Sequence, residues 1–267
     1  MNKKILVCYL FTKFDEIKQL TDFIDNYKKY SSGINHELLI CFKLIEEDKI
    51  FHLRDYLSDI EYIEFIDISP INDFDFGSYK RVSEHYLDYD ILFLNSHSYP
   101  ICNEWLIKLS KYKNDNNIIG TSGSFESIND SIELKKFYKF FSYLFKKIKF
   151  KRNFAAYPNP HLRTSSFFIN GKSFNEFIKN KTINDKFDTW KIESGKNNLT
   201  SFFKQKKFDI FVVNSDGNKF SENDWYLSET YNYLNQSKSI ISDKHTRKYI
   251  ELNKSDKLRA QYQTWGI

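Results

Sequence analysis

The sequence predicts an α/β fold, in which a mostly parallel central sheet is flanked by helices within a single domain. Three observations carry that expectation. Apolar runs of strand length alternate with segments of helical period through residues 4–68. The strongest apolar run, ILFL at 91–94, stops in a polar cluster. The chain has 267 residues, 41% hydrophobic and 18% aromatic, with 26 Phe and 18 Tyr, which suffices for one sizeable core.

Residues 4–11, KILVCYLF, form a continuous apolar run, the pattern of a strand buried on both faces. Ile17, Leu20, Phe23, Ile24 and Tyr27 then recur at helical spacing within 14–30, and Gly33 and Asn35 close that helix region. A second strand is expected at 36–42, HELLICF. A helix follows at 46–57 with Ile50, Leu53 and Leu57 on one face, and a third strand at 61–68, EYIEFIDI. This β-α-β-α-β order implies parallel pairing through right-handed crossovers. INDFDFGSYK, 71–80, is turn-rich and leads into a helix through about residue 88. DYDILFLNSHSYP, 88–100, is a strong strand whose end carries Asn95, Ser96, His97 and Ser98. Ligands of open α/β sheets bind beyond the carboxyl ends of strands.

NEWLIKLSKYK, 103–113, reads as a helix with Trp105, Leu106 and Leu109 inward. NNIIGTSGSFES, 116–127, reads as a short strand and a Gly/Ser loop, a kind that lets backbone amides approach a ligand. PNPHLRTSSFFI, 158–169, is a proline-bounded loop running into a strand, and a short helix is expected at 172–181. Residues 187–220 read as a loop, a helix starting near Glu193 and a strand at 208–214, after which Asp216 and Gly217 make a hairpin-like turn. The tail holds a short strand at 239–242 and a last helix.

Residues 133–152, ELKKFYKFFSYLFKKIKFKR, stand apart. Phe137, Phe140, Phe141, Leu144, Phe145 and Ile148 fall on one helical stripe, ringed by Lys135, Lys136, Lys139, Lys146, Lys147, Lys149, Lys151 and Arg152. A basic helix with an aromatic face is the pattern of interfacial membrane binding. The competing reading is a stripe packed on the sheet with its lysines solvated.

Several classes are disfavoured. There is no GxxxxGK[ST] phosphate loop, no GxGxxG after the first strand, no GxSxG and no HExxH. Cys8, Cys41 and Cys102 form no CxxC pair, which suits a reduced, cytoplasmic setting without structural zinc. No stretch approaches the length of a membrane span, and the N-terminus reads as a core strand rather than a signal peptide. The net charge of +5 fits an anionic ligand or membrane surface. Basic residues do not interleave with aromatics in the manner of nucleic-acid readers, so no nucleic-acid partner is expected.

From about residue 72 onward, FDFGSYKRV (74–82), YDILFLNSHSYP (89–100), HLRTSSFFI (161–169) and IESGKNNLT (192–200) occur in an order that resembles GT-A-fold bacterial glycosyltransferases, those related to rhamnan-synthesis proteins and to the family-two inverting enzymes. The resemblance implies a Rossmann-like GT-A domain over 1–267, with a nucleotide-binding half at 1–127 and an acceptor-binding half at 128–267. It implies transfer of a sugar from a nucleotide-sugar donor to a hydroxyl of a bacterial surface polysaccharide precursor (capsule, O-antigen or lipooligosaccharide), with inversion. The acceptor would be a glycan or lipid-linked glycan, met on the cytoplasmic side at the inner-membrane surface.

The same resemblance distributes roles. In GT-A enzymes the strand matching ILFLNSHS ends in Asp-x-Asp, which holds a divalent ion on the diphosphate. Asn95-Ser96-His97 stands there instead, a poorer site for Mn2+ or Mg2+. His245, in SDKHTRKY, resembles a late histidine that some of these enzymes add as a metal ligand, so His97 and His245 are the metal candidates. Lys80, Arg163, His97 and His245 are candidates to offset the diphosphate charge. Tyr9, Phe11, Thr12 and Lys43 fall where the family holds the nucleoside, with Asp75 and Gly77 in the loop facing base and ribose. Ser122, His161, Arg163 and Ser165 fall toward the donor sugar or acceptor. Glu193 resembles the acidic general base, which must accept the proton of the attacking hydroxyl; Asp188, Glu222 and Asp224 are the alternatives. Two other readings remain: a nucleotidyltransferase acting on a sugar phosphate, and a non-catalytic peripheral membrane scaffold of glycan assembly. The stretch after the first strand, YLFTKFDEIK, lacks the glycine richness that the former would carry.

Overall fold

A computed structural model describes residues 3–130 and 140–267. The expected alternation is present at the start: β1 (Ile5–Thr12), α1 (Ile17–Lys29), β2 (Glu37–Lys43), α2 (Glu47–Leu57), β3 (Ile63–Asp67), α3 (Phe74–His85) and β4 (Asp90–Leu94). Next come β5 (Tyr99–Pro100), α4 (Trp105–Ser110), β6 (Asn117–Gly120), β7 (Gly123–Ser124), α5 (Phe140–Asn153), β8 (His161–Leu162), β9 (Ser166–Asn170) and α6 (Gly171–Ile178). The chain continues through α7 (Lys186–Ser194), α8 (Leu199–Gln205), β10 (Asp209–Val213), β11 (Lys219–Phe220), a 3₁₀ segment (Glu222–Ser228), β12 (Ile241–Ser242), α9 (Lys244–Glu251) and α10 (Lys254–Trp265).

Eight strands form the central sheet in the order β11-β10-β6-β9-β4-β1-β2-β3. β3, β2, β1 and β4 are parallel neighbours, the 3-2-1-4 order of a Rossmann-like half. β9 enters between β4 and β6 and runs antiparallel to both, while β10 is parallel to β6. The expected α/β class, a mostly parallel sheet flanked by helices, therefore holds, with β9 and the edge strand β11 as the exceptions.

Strand alternation sends Leu6, Cys8 and Leu10 to one face with Tyr79, Phe174 and Phe203, and Val7, Tyr9 and Phe11 to the other with Phe23, Leu53 and Trp105. Ile50, Leu53 and Leu57 of α2 and Trp105, Leu106 and Leu109 of α4 are buried as their spacing predicts. The helix expected from 103 starts only at Trp105, because Glu104 sits in the left-handed region at φ 59.

Two elements differ from expectation. Glu193 does not open a helix; it lies in the last turn of α7, whose N-cap is Asp185, with Gly195 at the C-cap. The helix preceding β10 is instead α8, capped by Asn198. The N-terminal amides that would have favoured a carboxylate at 193 are therefore absent there. The expected single last helix is two, split at Leu252, where the backbone turns extended before Asn253 caps α10.

Of the aromatic stripe, Phe137 lies outside the described residues, as do Lys135, Lys136 and Lys139. On α5, Phe141 and Phe145 are each 74% exposed, and Leu144 and Ile148 are exposed as well. Toward its end α5 packs inward through Phe150, which stacks on the buried Phe154 just beyond the helix. Among the described residues, no helix is long and apolar enough to cross a membrane.

Candidate functional site

The parallel strands of the central sheet end at one edge, and β9 begins there, because it runs the other way. The loops leaving β1, β4 and β6 and the loop entering β9 consequently meet at this edge. Asp15 ties the first two. Its Oδ2 accepts from the Thr12 N–H (2.8 Å) and Oγ1 (2.7 Å), and its Oδ1 accepts from Ser96 Oγ at 2.7 Å. Beneath them, the fully buried Tyr9 directs its hydroxyl at the carbonyls of Ser96 (2.8 Å) and Gln19 (3.0 Å).

Asn95 folds the loop after β4. Its Oδ1 accepts from the His97 N–H and from Ser98 Oγ, an Asx-type turn, while its own N–H donates to the Ser165 carbonyl at 3.1 Å. One residue earlier, the Thr164 N–H donates to Glu193 Oε1 at 3.2 Å. Residues 164 and 165 thus carry the polar tip after β4 on one side and the α7 carboxylate on the other. Asp75, in the first turn of α3, faces the same space: burial first, then the charges of Asp15 and Glu193, push its carboxyl up to about 6.

The floor at β9 is an ion pair. Arg163 Nη1 donates to Asp243 Oδ2 at 2.6 Å and its guanidinium lies 3.8 Å over the Tyr231 ring. Ser165 Oγ donates to the same oxygen, and Asp243 Oδ1 accepts from the N–H groups of His245 and Thr246, capping α9. Burial would raise the Asp243 carboxyl, but the Arg163 charge and these hydrogen bonds outweigh it and hold the group well below the usual carboxylate range. Arg247, also on α9, donates to the His97 carbonyl at 3.1 Å and stacks over Tyr99. Burial, opposed by the Asp15 carboxylate and reinforced by Lys244 and Arg247, lowers the pKa of His97.

A pocket of about 470 Å³ opens between the ends of β1 and β2, lined by Phe11, Thr12, Asp15, Ile45, His52 and Tyr56 among others. Apolar walls from Phe11, Ile45 and Tyr56 share the lining with Lys13, Asp15, Glu46, Lys49 and His52, a mix that suits a small polar organic ligand.

The structure thus brings Thr12, Asn95, Ser96, His97, Asp75, Ser122, Arg163, Ser165 and Glu193 to one edge, with Phe11 in the adjoining pocket. Ser122 lies against Arg163, whose N–H donates to the Ser122 carbonyl. Other named residues sit elsewhere. Lys43 is 1% exposed, its ammonium held by Asp73 and near Asp67, which also bind Arg81. Gly77 underlies that network: a Cβ there would collide with the Asp73 carboxylate. Lys80 donates to the Lys179 carbonyl at 2.7 Å. His161 is buried, with Nδ1 at 2.8 Å from the Asn159 carbonyl. Asp188 and Glu222 pair with Lys191 and Lys204, and Asp224 accepts from Ser221, so the alternative acids are engaged locally.

Among the described residues, no three His, Cys, Asp or Glu side chains gather as metal ligands. Among the described residues, His97 and His245 do not form such a set with carboxylates.

Sequence reasoning missed Asp15, Asp243 and Arg247. Asp15 had a local signal, an acid three residues after the end of a buried strand. Asp243 and Arg247 flank His245 in SDKHTRKY, but only the fold shows that they reach the loops at 163 and 97.

No family model matches this sequence, and no curated protein matches it. Solved glycosyltransferase structures do align with it. One is the apo-form glycosyltransferase GlyE of Streptococcus pneumoniae, at 14% identity over 78% of this chain and 45% of that one, with a TM-score of 0.44. Another is the galactosyltransferase LgtC, solved with donor and acceptor sugar analogs, at 14% identity over 79% and 73%, TM-score 0.44. A third is the mannosyltransferase Ktr4p from S. cerevisiae, at 12% identity over 66% and 59%, TM-score 0.38. The chain spans less than half the length of GlyE. These likenesses concern the path of the chain and assign no residue a role.

Proposed function

We propose that this protein is a glycosyltransferase that moves a sugar from a nucleotide-sugar donor to a hydroxyl of a bacterial surface polysaccharide precursor, with inversion. The observation that carries the proposal is the shared anchorage of Asn95 and Glu193 on the adjacent residues Ser165 and Thr164. Ligands of open α/β sheets bind beyond the carboxyl ends of strands, the edge at which this polar tip and this carboxylate are anchored.

In this reading the nucleoside occupies the pocket between β1 and β2, contacting Phe11 and Thr12, and the diphosphate lies along the loop at 95–98. Arg247, which reaches the His97 carbonyl, offsets its charge, and no step is routed through an ion. Glu193 accepts the proton of the acceptor hydroxyl as its oxygen attacks the anomeric carbon and the bond to the diphosphate breaks. Holding the three groups in line supplies much of the rate enhancement, and fixed dipoles around the departing diphosphate supply more. The first half of the chain serves the donor and the second half the acceptor, while the exposed aromatic face of α5 rests on the inner membrane.

The test is turnover of a panel of UDP-, GDP-, CDP- and dTDP-sugars, with and without manganese, by the wild-type protein and by Glu193→Gln. Loss of about 10²–10⁴-fold in transfer with unchanged nucleotide affinity is expected for the variant. Equal turnover would remove Glu193 as the base, and absence of nucleotide-sugar binding to the wild type would remove the function.

A further inference from the structure

A second pocket, of about 540 Å³, is walled by the C-terminal end of α5, the segment joining α6 to α7, α7 itself and the turn between α7 and α8. Four cations border it, Arg152, Lys181, Lys191 and Lys196, against one carboxylate, Asp188. Asp188 pairs with Lys191 at 2.6 Å. Among the described residues, no carboxylate pairs with Arg152, Lys181 or Lys196 within 4.0 Å. Lys181 is half-buried, its ammonium 4.4 Å from the centre of the Phe177 ring, and burial together with the Lys191 charge lowers its pKa. Like charges gathered around a concave surface favour an anion that joins them.

We propose that this pocket binds a phosphate or diphosphate group, and that the group belongs to the acceptor. The second half of that statement rests on the glycosyltransferase reading; the first does not. Lys191 stands two residues from Glu193 on α7, so an anion held here anchors a molecule one helix away from the proposed base. Arg152 stands at the end of α5, whose exposed Phe145 and Ile148 face away from the core. An acceptor carried on a lipid phosphate matches both features: its acyl or isoprenyl chain stays in the membrane beside α5, its phosphate enters the pocket, and its sugar reaches past α7.

The experiment uses the full chain and two probes, inorganic pyrophosphate in solution and phosphatidylcholine vesicles with and without a long-chain isoprenyl phosphate. The wild type should bind the phosphate-bearing vesicles, and Arg152→Glu with Lys196→Glu should weaken that binding at least about tenfold. Both positions are exposed, so the melting temperature should hold, and Lys181→Met gives an independent second variant. Competition by pyrophosphate that depends on these lysines, without preference for the lipid, identifies a soluble phosphorylated acceptor; preference for the vesicles identifies the headgroup. Either result supports an anion site. Equal binding of both probes by the wild type and all variants, or no binding of either, overturns it. Nucleotide-sugar affinity, measured alongside, reports separately on the transfer reading and should not change in these variants.

Discussion

Ser96 Oγ donates to Asp15 Oδ1 at 2.7 Å, joining loops that lie 81 residues apart in sequence. The other oxygen of Asp15 holds Thr12, so one carboxylate sets the position of both walls of the proposed donor site. Asp15→Ala should lower nucleotide affinity about tenfold while costing about 1–3 kcal/mol of stability through unpaired loop donors. Calorimetric titration and thermal melting read the two effects, and unchanged nucleotide affinity would show that the walls are set by other contacts.

The Arg163–Asp243 pair is buried, so breaking it on one side leaves an uncompensated charge. Asp243→Asn should cost about 3–5 kcal/mol in a urea melt. The pH dependence follows from the depressed carboxyl of Asp243: its contribution is present above the ordinary Asp range and is lost as pH falls through the lower folded value. The acid limb of the wild-type stability curve should therefore flatten in Asp243→Asn.

Asp75 behaves in the opposite sense. Its carboxyl is raised to about 6 by burial and by Asp15 and Glu193. The folded state binds the proton more tightly than the unfolded chain, so the favourable term is present below about pH 4 and is lost as pH rises through about 6. Asp75→Asn should stabilise the protein by roughly 1–3 kcal/mol at pH 8 relative to its effect at pH 4. A pH-independent difference in melting would remove the carboxyl as the cause.

If α5 lies on a membrane, replacing Phe145 and Ile148 with Ser should abolish sedimentation with anionic vesicles. Because both side chains are exposed, stability should shift by no more than about 0.5 kcal/mol. A large loss of stability would mean that the stripe is covered in the folded protein.

The longer strands of the central sheet were legible because each is a compact apolar run, whereas the two-residue strands β5, β7 and β8 carry no such run; the polar tip at 95–98 was legible too, since it needs only the knowledge that a strand has ended. KFDTWKIES, the α7 segment, reads as a loop ahead of Glu193 because its apolar residues do not gather on one face; the informative residue is Asp185, whose side chain accepts from the Asp188 N–H. The direction of β9 was not legible. SFFIN is buried along its whole length, and a strand covered on both faces carries no pattern that tells up from down. The partnership of Arg163 with Asp243 follows from that direction and spans 80 residues, beyond the reach of local reasoning.

The interposed position of β9 also bears on how the chain is made. β4 gains its neighbour on that side only when residues 166–170 have left the ribosome, well after β1 to β3 are in place to pair. Until then an apolar strand presents open amides and carbonyls along one border, a template for pairing between nascent chains. A fragment ending at residue 130 keeps that border open for good, so it should sediment as aggregate where the whole protein does not.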